Sequence, residues 1–485
     1  MKPLILSVLC GVFAGWTCVS THGQSLAVST DGRYLTEADG TPFLWIGDTA
    51  WELFHVLTRE EALRYLDDRV AKGFSVIQAV VLAENDGLRR PNAYGHVPFD
   101  DLDPTRPAEG YFEHVDFIVE AAAARGLVMG LLPTWGDKVP SIHPGAGPLV
   151  FTPENARVYG QFLGARYREA PVVWILGGDR NIDSDESLAI WNAMAEGLAD
   201  GDGGRHLMTF HPRGGSNSGY YLHKTSWLDF NMYQSGHSRF VKVYEHASRS
   251  ADFRPRKPFI EGEPAYEDIA VRFWEYMDFS QPGPQRVPEG VLDEQGLIQD
   301  RDHFAHGYIT DYEVRVAAYW NFLSGAAGYT YGNNAIWQML KGPENLQIPG
   351  LTTWEGALDR PGAQHLRHVR QLFTQRPFFR LAPDQSALFG QNPEGTKHTR
   401  VATALDGAFM VAYLAEGQSA DLRLDHLQGE AVTAAWFDPR TGAVLPIAAA
   451  LDGPRHRFEP PTQGKGQDWI LVVDAVGAGL PPLAP

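Results

Sequence analysis

Phe43-Leu44-Trp45-Ile46-Gly47-Asp48-Thr49-Ala50-Trp51 is an apolar run that meets an acid and then a tryptophan, with one glycine on the way. Such a run suits a strand buried on both faces of a parallel sheet. A doubly wound sheet would ordinarily follow its first strand with a glycine-rich phosphate loop, and here Gly47 stands alone. The nearest dinucleotide-like string, Gly145-Ala146-Gly147, lacks the third glycine and sits in a Pro-rich loop. The rival architecture, a closed barrel, needs no such loop.

Outward from this strand, short apolar runs alternate with helix-period segments as far as Phe373. Strands are expected near 43–48, 74–82, 127–133, 171–177, 206–211, 228–233, 257–262 and 326–331. Helices are expected at 58–72, 112–125, 153–169, 186–200, 309–323 and 361–376. Thr58 ahead of Glu60 and Glu61 reads as a helix cap, and Gly73 and Gly126 as helix stops. Eight such units predict the α/β class and a (β/α)8 TIM barrel over residues 25–378, entered through a β-hairpin between Leu26 and Phe43. From about Arg380 the texture changes to strands near 387–389, 399–405, 408–414, 419–424, 431–437 and 468–473, separated by Asp-Gly, Glu-Gly and Thr-Gly turns. That pattern predicts a small C-terminal β-sandwich over residues 379–485.

Composition narrows the chemistry. The chain has 485 residues, 44% of them hydrophobic, enough for a large core and two domains. Its net charge of −18 opposes a nucleic-acid partner. Lys2 followed by the apolar stretch Leu4 to Trp16 and a polar segment through Gln24 has the order of a cleavable export signal, which predicts a secreted or periplasmic protein. No later window is long and apolar enough for a membrane span, so no membrane insertion is expected. Both cysteines, Cys10 and Cys18, fall inside residues 1–24, so the mature chain is expected to hold neither disulfides nor a thiol nucleophile. There is no His-x-His or His-Glu-x-x-His string, and the His303/His306 and His365/His368 pairs fall on expected helices away from the barrel mouth. No metal and no cofactor is expected. Gly214-Gly215-Ser216-Asn217-Ser218 lacks the last glycine of a nucleophilic serine elbow.

Carboxylates remain. Barrel enzymes carry their chemistry at the C-terminal strand ends, where this sequence places acids, amides and aromatic rings, a set suited to sugar hydroxyls and ring faces. Asp179 ends Val172-Val173-Trp174-Ile175-Leu176-Gly177-Gly178-Asp179, where two glycines let the backbone bend and expose the acid. Glu263 ends Phe259-Ile260-Glu261-Gly262-Glu263-Pro264, where strand alternation would put Glu261 on the same side as a rival. These two form the expected catalytic pair for glycoside cleavage, which needs two carboxyls facing across one bond. The expected substrate-binding residues are Asp48, Trp51, Glu84, Trp135, His211, Tyr233, Glu261, Tyr331 and Asn333.

The runs Phe43 to Trp51, Trp174-Ile175-Leu176-Gly177-Gly178-Asp179, Gly262-Glu263-Pro264-Ala265-Tyr266-Glu267, Gly328-Tyr329-Thr330-Tyr331-Gly332 and Trp436-Phe437-Asp438-Pro439-Arg440-Thr441-Gly442 together resemble the apiosidase-like glycoside hydrolases, family 140 and relatives. The resemblance spans nearly all of the expected mature chain. It implies a barrel followed by a small β domain bearing a collagen-binding label, a polysaccharide or oligosaccharide substrate from plant pectin-type side chains, and Asp179 and Glu263 as the pair. Many related barrels carry Asn-Glu where Gly178-Asp179 stands, and the shorter acid changes the reach. The expected reaction is glycoside hydrolysis, by retention with Glu263 as nucleophile or by inversion with Glu263 as base. Two alternatives stay open: a glycosidase of the same mechanism acting on another pentoside, and a glycan- or matrix-binding protein without turnover.

Overall fold

The computed structural model describes residues 25–143, 145–278, 286–429 and 431–484. The expected export signal, with Cys10 and Cys18, lies outside the described residues. Eight parallel strands form the barrel: β1 (Trp45–Thr49), β2 (Val76–Val80), β3 (Val128–Leu132), β4 (Val172–Gly177), β5 (Met208–His211), β6 (Asn231–Gln234), β7 (Phe259–Glu261) and β8 (Gly328–Tyr331). Hydrogen-bonded order runs β5-β4-β3-β2-β1-β8-β7-β6, with the short strand Ser216–Asn217 antiparallel on the free edge of β6. The seam between β5 and β6 is held by the Asp229 N–H to Met208 O (2.9 Å), the Met208 N–H to the Asp229 carboxylate (2.7 Å) and the Thr209 hydroxyl to Phe230 O (2.7 Å).

Helices α1 (Arg59–Ala71), α2 (Glu109–Ala123), α3 (Pro153–Arg166), α4 (Asp185–Asp202), α5 (Val243–Asp252), α6 (Asp311–Phe322) and α7 (Pro361–Gln375) surround the strands. Thr58 caps α1 through a reciprocal box with Glu61, and α1 and α2 stop just before Gly73 and Gly126. Helix α5 was not among the expected helices. It is short, and its N-cap residue Lys242 makes no side-chain cap bond, so the usual start signal is missing. The connection from β5 to β6 holds the short strand Ser216–Asn217 and, in place of a full helix, the helical turn Gly219–Leu222.

Strand alternation sorts side chains between two environments. Trp45, Val76, Val80, Val128, Leu132, Val173, Ile175, Met232 and Ile260 fill the barrel interior, and Gln78 reaches through it to donate to Gly262 O (2.8 Å). Ile77, Ala79, Met129, Leu131, Trp174 and Leu176 face the opposite way, onto the helices.

The entry segment is a three-stranded meander, Ala27–Val28, Leu35–Thr36 and Pro42–Phe43. The C-terminal part is a six-stranded antiparallel sheet in the order 381–383, 399–404, 409–414, 469–475, 431–437, 444–452, with a two-stranded ribbon of Ala420–Arg423 and Arg455–Phe458. One face of the sheet packs under the ribbon around Met410, Leu422, Phe458 and Leu471. Its other face packs Phe409, Tyr413 and Ile470 onto Tyr319, Phe322 and Phe373 of α6 and α7. Strand 444–452 escaped the sequence reading because Pro446 interrupts it. Lying at the sheet edge, it tolerates the missing donor.

Candidate active site

Chain geometry at the end of β4 puts Asp179 where it is. Gly177 (φ +90°), Gly178 (φ +108°) and Asp179 (φ +52°) lie consecutively in the left-handed region. A Cβ on Gly177 would stand 2.4 Å from His211 O, and one on Gly178 2.9 Å from the Trp135 ring. Only glycine fits both places. The bend they allow turns the Asp179 carboxylate into a cavity of about 700 Å³ at the C-terminal ends of the strands. Asp179 keeps 39% of its side-chain surface open, and Arg180 Nη1 stands 3.7 Å from its Oδ2.

Glu263 reaches the same cavity from the other side by leaving the sheet. Strand β7 ends at Glu261, and the Gly262 N–H bonds to Tyr233 O (2.8 Å). A Cβ on Gly262 would lie 2.4 Å from Met232 Sδ, so glycine permits the close crossing. The alternation expected over Glu261 and Glu263 therefore breaks. Glu263 lines the cavity, while Glu261 stays on the helix side of the sheet, between its register partners Tyr233 and Tyr329. There Glu261 Oε1 accepts the backbone N–H of Ser235 (3.0 Å) and of Glu263 (3.2 Å), joining the β6 and β7 loops.

Two imidazoles grip Glu263. His237 Nε2 is 2.9 Å from Oε1, and His211 Nε2 is 3.0 Å from Oε2. His211 Nδ1 accepts the backbone N–H of Asp179 (3.3 Å), which leaves the ring proton on Nε2. One histidine thus touches the backbone of the first acid and the carboxylate of the second. Tyr266 adds a hydroxyl contact to Glu263 and accepts the indole N–H of Trp51 (3.0 Å).

These surroundings pull the two acids apart. Burial pushes Glu263 up, but the contacts of His211 and His237 outweigh it and hold this carboxyl well below the ordinary glutamate range. Burial, then the charge of Glu263, pushes Asp179 up against the opposing pull of Arg180, His211 and His237. One acid lowered and the other raised is the direction of division that two-carboxylate hydrolysis requires. Glu84, in the same cavity, is raised well above the ordinary range by burial and by Glu52, Asp137 and Asp179. The floor holds Trp51 and Trp135 with ring centroids 5.3 Å apart, together with Trp337. Arg180, Arg213 and His143 line the wall next to Asp179.

Of the residues expected from sequence, Asp179, Glu263, Trp51, Glu84 and Trp135 line this cavity, and His211 lies directly behind Glu263. Asp48, Tyr233, Glu261, Tyr331 and Asn333 do not. Asp48 faces outward to Tyr65 (2.6 Å) and Arg69 (2.5 Å) of α1. The hydroxyl of Tyr233 bonds Asn321 of α6 (2.5 Å), and that of Tyr331 bonds Glu267 (2.5 Å). Asn333 caps the helical turn Asn334–Trp337. Position on a strand end was read correctly for these residues, but the face was not. Sequence reading passed over His237, Tyr266 and Trp337, which lie three, five and six residues beyond their strands, the first two in loops without a period and the last in a single helical turn.

This is the fold and site of a barrel glycoside hydrolase, and the comparisons place it further. Residues 29–380 match the family model described as "Apiosidase-like, catalytic domain", so the chain belongs to the apiosidase-like family. Residues 382–474 match a model described as "Putative collagen-binding domain of a collagenase". A solved structure titled "Glycoside hydrolase" is 30% identical with a TM-score of 0.78, covering 94% of this chain and 98% of that one. A glycoside hydrolase family 5 structure from Bacteroides vulgatus is 27% identical with a TM-score of 0.81, covering 95% and 96%. No curated protein matches the chain.

Proposed function

We propose that this glycosidase cleaves a furanoside, apiose first among candidates, from a pectin-type polysaccharide by a retaining two-carboxylate mechanism, outside the cytoplasm. The observation that carries the mechanism is the pairing of Asp179 and Glu263 in one cavity, with surroundings that lower the second and raise the first. Asp179 gives its proton to the glycosidic oxygen as a Glu263 oxygen attacks the anomeric carbon; the bond to the leaving sugar breaks and a glycosyl ester forms. Asp179, now a carboxylate, takes a proton from water, whose oxygen displaces Glu263 and restores both groups.

The family description favours apiose. A uronate in the leaving group is favoured by Arg180, Arg213 and His143 beside Asp179, because guanidinium groups pair with carboxylates in two-point geometry. Export is favoured by residues 1–24.

Release of free sugar from apiose-bearing pectin fragments and other plant cell-wall oligosaccharides tests the reading, with wild type, Asp179→Ala and Glu263→Ala compared. Release by wild type and loss of at least about 100-fold in both folded variants is expected. Activity surviving both substitutions would remove the pair from the mechanism, and no release from any substrate would favour a binding protein.

A further inference from the structure

The loop after β6, residues 235–242, is tied at its start to the candidate catalytic glutamate. The Ser235 N–H bonds to Glu261 Oε1 (3.0 Å), the Gly236 N–H bonds to Glu263 O (3.2 Å), and His237 Nε2 donates to Glu263 Oε1 (2.9 Å). An imidazole is ordinarily aimed by a hydrogen bond on its other ring nitrogen. His237 Nδ1 is buried and has no hydrogen-bond partner among the described residues. The ring lies against Tyr266 (4.3 Å between centroids) and Phe273 (5.7 Å), and otherwise goes where the loop backbone carries it.

The far half of the loop is held from the C-terminal domain. Phe240 keeps φ at +54°, which a bulky residue holds only where its surroundings fix it. Those surroundings include the Tyr312 ring (5.8 Å), whose hydroxyl donates to Ala415 O (2.9 Å), and the Lys465 ammonium, 5.7 Å from the Phe240 ring centre. In the first turn of α5, the Tyr244 ring stacks on His398 (3.9 Å between centroids, 16° between planes), and the Arg400 guanidinium stands 5.7 Å from its centre. Tyr244, His398 and Arg400 are all buried. Ala415, His398, Arg400 and Lys465 belong to the C-terminal domain. Between the Gly236 and Phe240 anchors run only His237, Ser238 and Arg239. Arg239 Nε approaches Glu313 of α6 (3.3 Å), and Lys465 approaches the same carboxylate (3.8 Å). So short a span passes a shift of Phe240 on to His237.

We propose that the C-terminal domain serves the active site as a positioning element: by holding Phe240 and Tyr244 it sets the β6 loop and keeps His237 on Glu263. His398 and Lys465 are then positioning residues that act through His237. This rests on the reading of Glu263 as the reacting carboxylate.

The test reads His237 directly and needs no substrate. Full-length protein is labelled with 15N at histidine, and the His237 Nε2–H resonance is identified by its loss in His237→Asn. His398→Phe keeps a ring against Tyr244, and His398→Ala removes it. Both lose the Nδ1 contact to Pro393 O (3.1 Å), so the difference between them reports the stack. Lys465→Ala changes a side chain that is 60% exposed, which spares the fold. Gln371→Ala loosens the domain elsewhere, at Gly442. Exchange of the His237 proton with water is expected to be about tenfold or more faster in His398→Ala, faster in Lys465→Ala, and near wild type in His398→Phe and Gln371→Ala. Unchanged exchange in His398→Ala overturns the proposal, and Lys465→Ala decides in the same way if His398→Ala does not fold. Equal acceleration in Gln371→Ala, or no protected His237 proton in wild type, also overturns it. Where the pectin panel releases sugar, the acid limb of kcat/KM should rise in His398→Ala as in His237→Asn, and an unmoved limb counts against the proposal. A panel without release refutes the glycosidase reading and leaves the exchange result standing.

Discussion

Glu263 is held in place by His211 at the end of β5, His237 in the loop after β6 and Tyr266 in its own loop, and its chemistry follows from them. Its folded pKa lies below the ordinary value, so a rate that needs the carboxylate is retained until the pH falls through that depressed pKa. Replacing His237 by Asn removes one of the two imidazole contacts. The acid limb of the kcat/KM profile should then move up by about one pH unit, while the alkaline limb, set by Asp179, stays near its place. An unmoved acid limb would show that His237 only fills space. Glu261 behaves in the opposite way. Burial, eased by the Ser235 and Glu263 N–H bonds, raises it to about 8. An unfolded glutamate ionises near 4.3, so the stability tied to its protonated form is complete below that pH and is lost as pH climbs towards 8. The loss amounts to a few kcal/mol. Glu261→Gln should flatten the decline in Tm between pH 5 and pH 8, and an equally steep decline in the variant would contradict the assignment.

Elements place the site through the pleat. Whereas the expected strand 387–389 is a 3-10 turn with an isolated bridge at Leu388, the barrel strands, most helices and the two candidate acids were legible in the sequence because apolar runs, caps and glycine pairs are local signals. The face on which each strand-end residue stands was not, since it depends on where the ladder stops. Asp48 shows the consequence. It looks like an active-site acid at the end of β1, yet it points away from the cavity and joins Tyr65 and Arg69 in a fully buried cluster between strand and helix. Asp48→Asn should cost about 1–3 kcal/mol in urea unfolding, because it removes the fully buried one of the two carboxylates that pair with Arg69 and leaves only Asp68 (2.7 Å). The variant that remains folded should keep its kcat within about twofold. A large fall in kcat at unchanged stability would return Asp48 to the site.

At the scale of the whole molecule, the C-terminal sheet acts as an outer wall of the barrel. Arg315 of α6 makes a two-point contact with Asp468 (2.9 and 2.9 Å), to which Tyr413 adds its hydroxyl (3.0 Å), and Arg376 pairs with Asp474. The turn of the Trp436 to Gly442 motif also docks there, with the Gln371 amide of α7 donating to Gly442 O (3.1 Å). Aromatic packing fills the space between these polar ties. Barrel and sheet should therefore unfold in one calorimetric transition. Asp468→Asn should lower that Tm as a single step, by a destabilisation of about 3–5 kcal/mol. Two separated transitions in wild type would mean that the parts are stable independently.

Local pattern along this chain was enough for the alternation of strand and helix, the barrel class, the change to β structure near Arg380 and the two acids behind glycine bends. Each depends on residues within a few positions of one another. The grip of His237 and His211 on Glu263, the outward turn of Asp48, Tyr233 and Tyr331, and the docking of the sheet on α6 and α7 came only from the folded chain. These bring together residues 17 to 153 positions apart, and no period or motif in a single sequence records which distant residues meet.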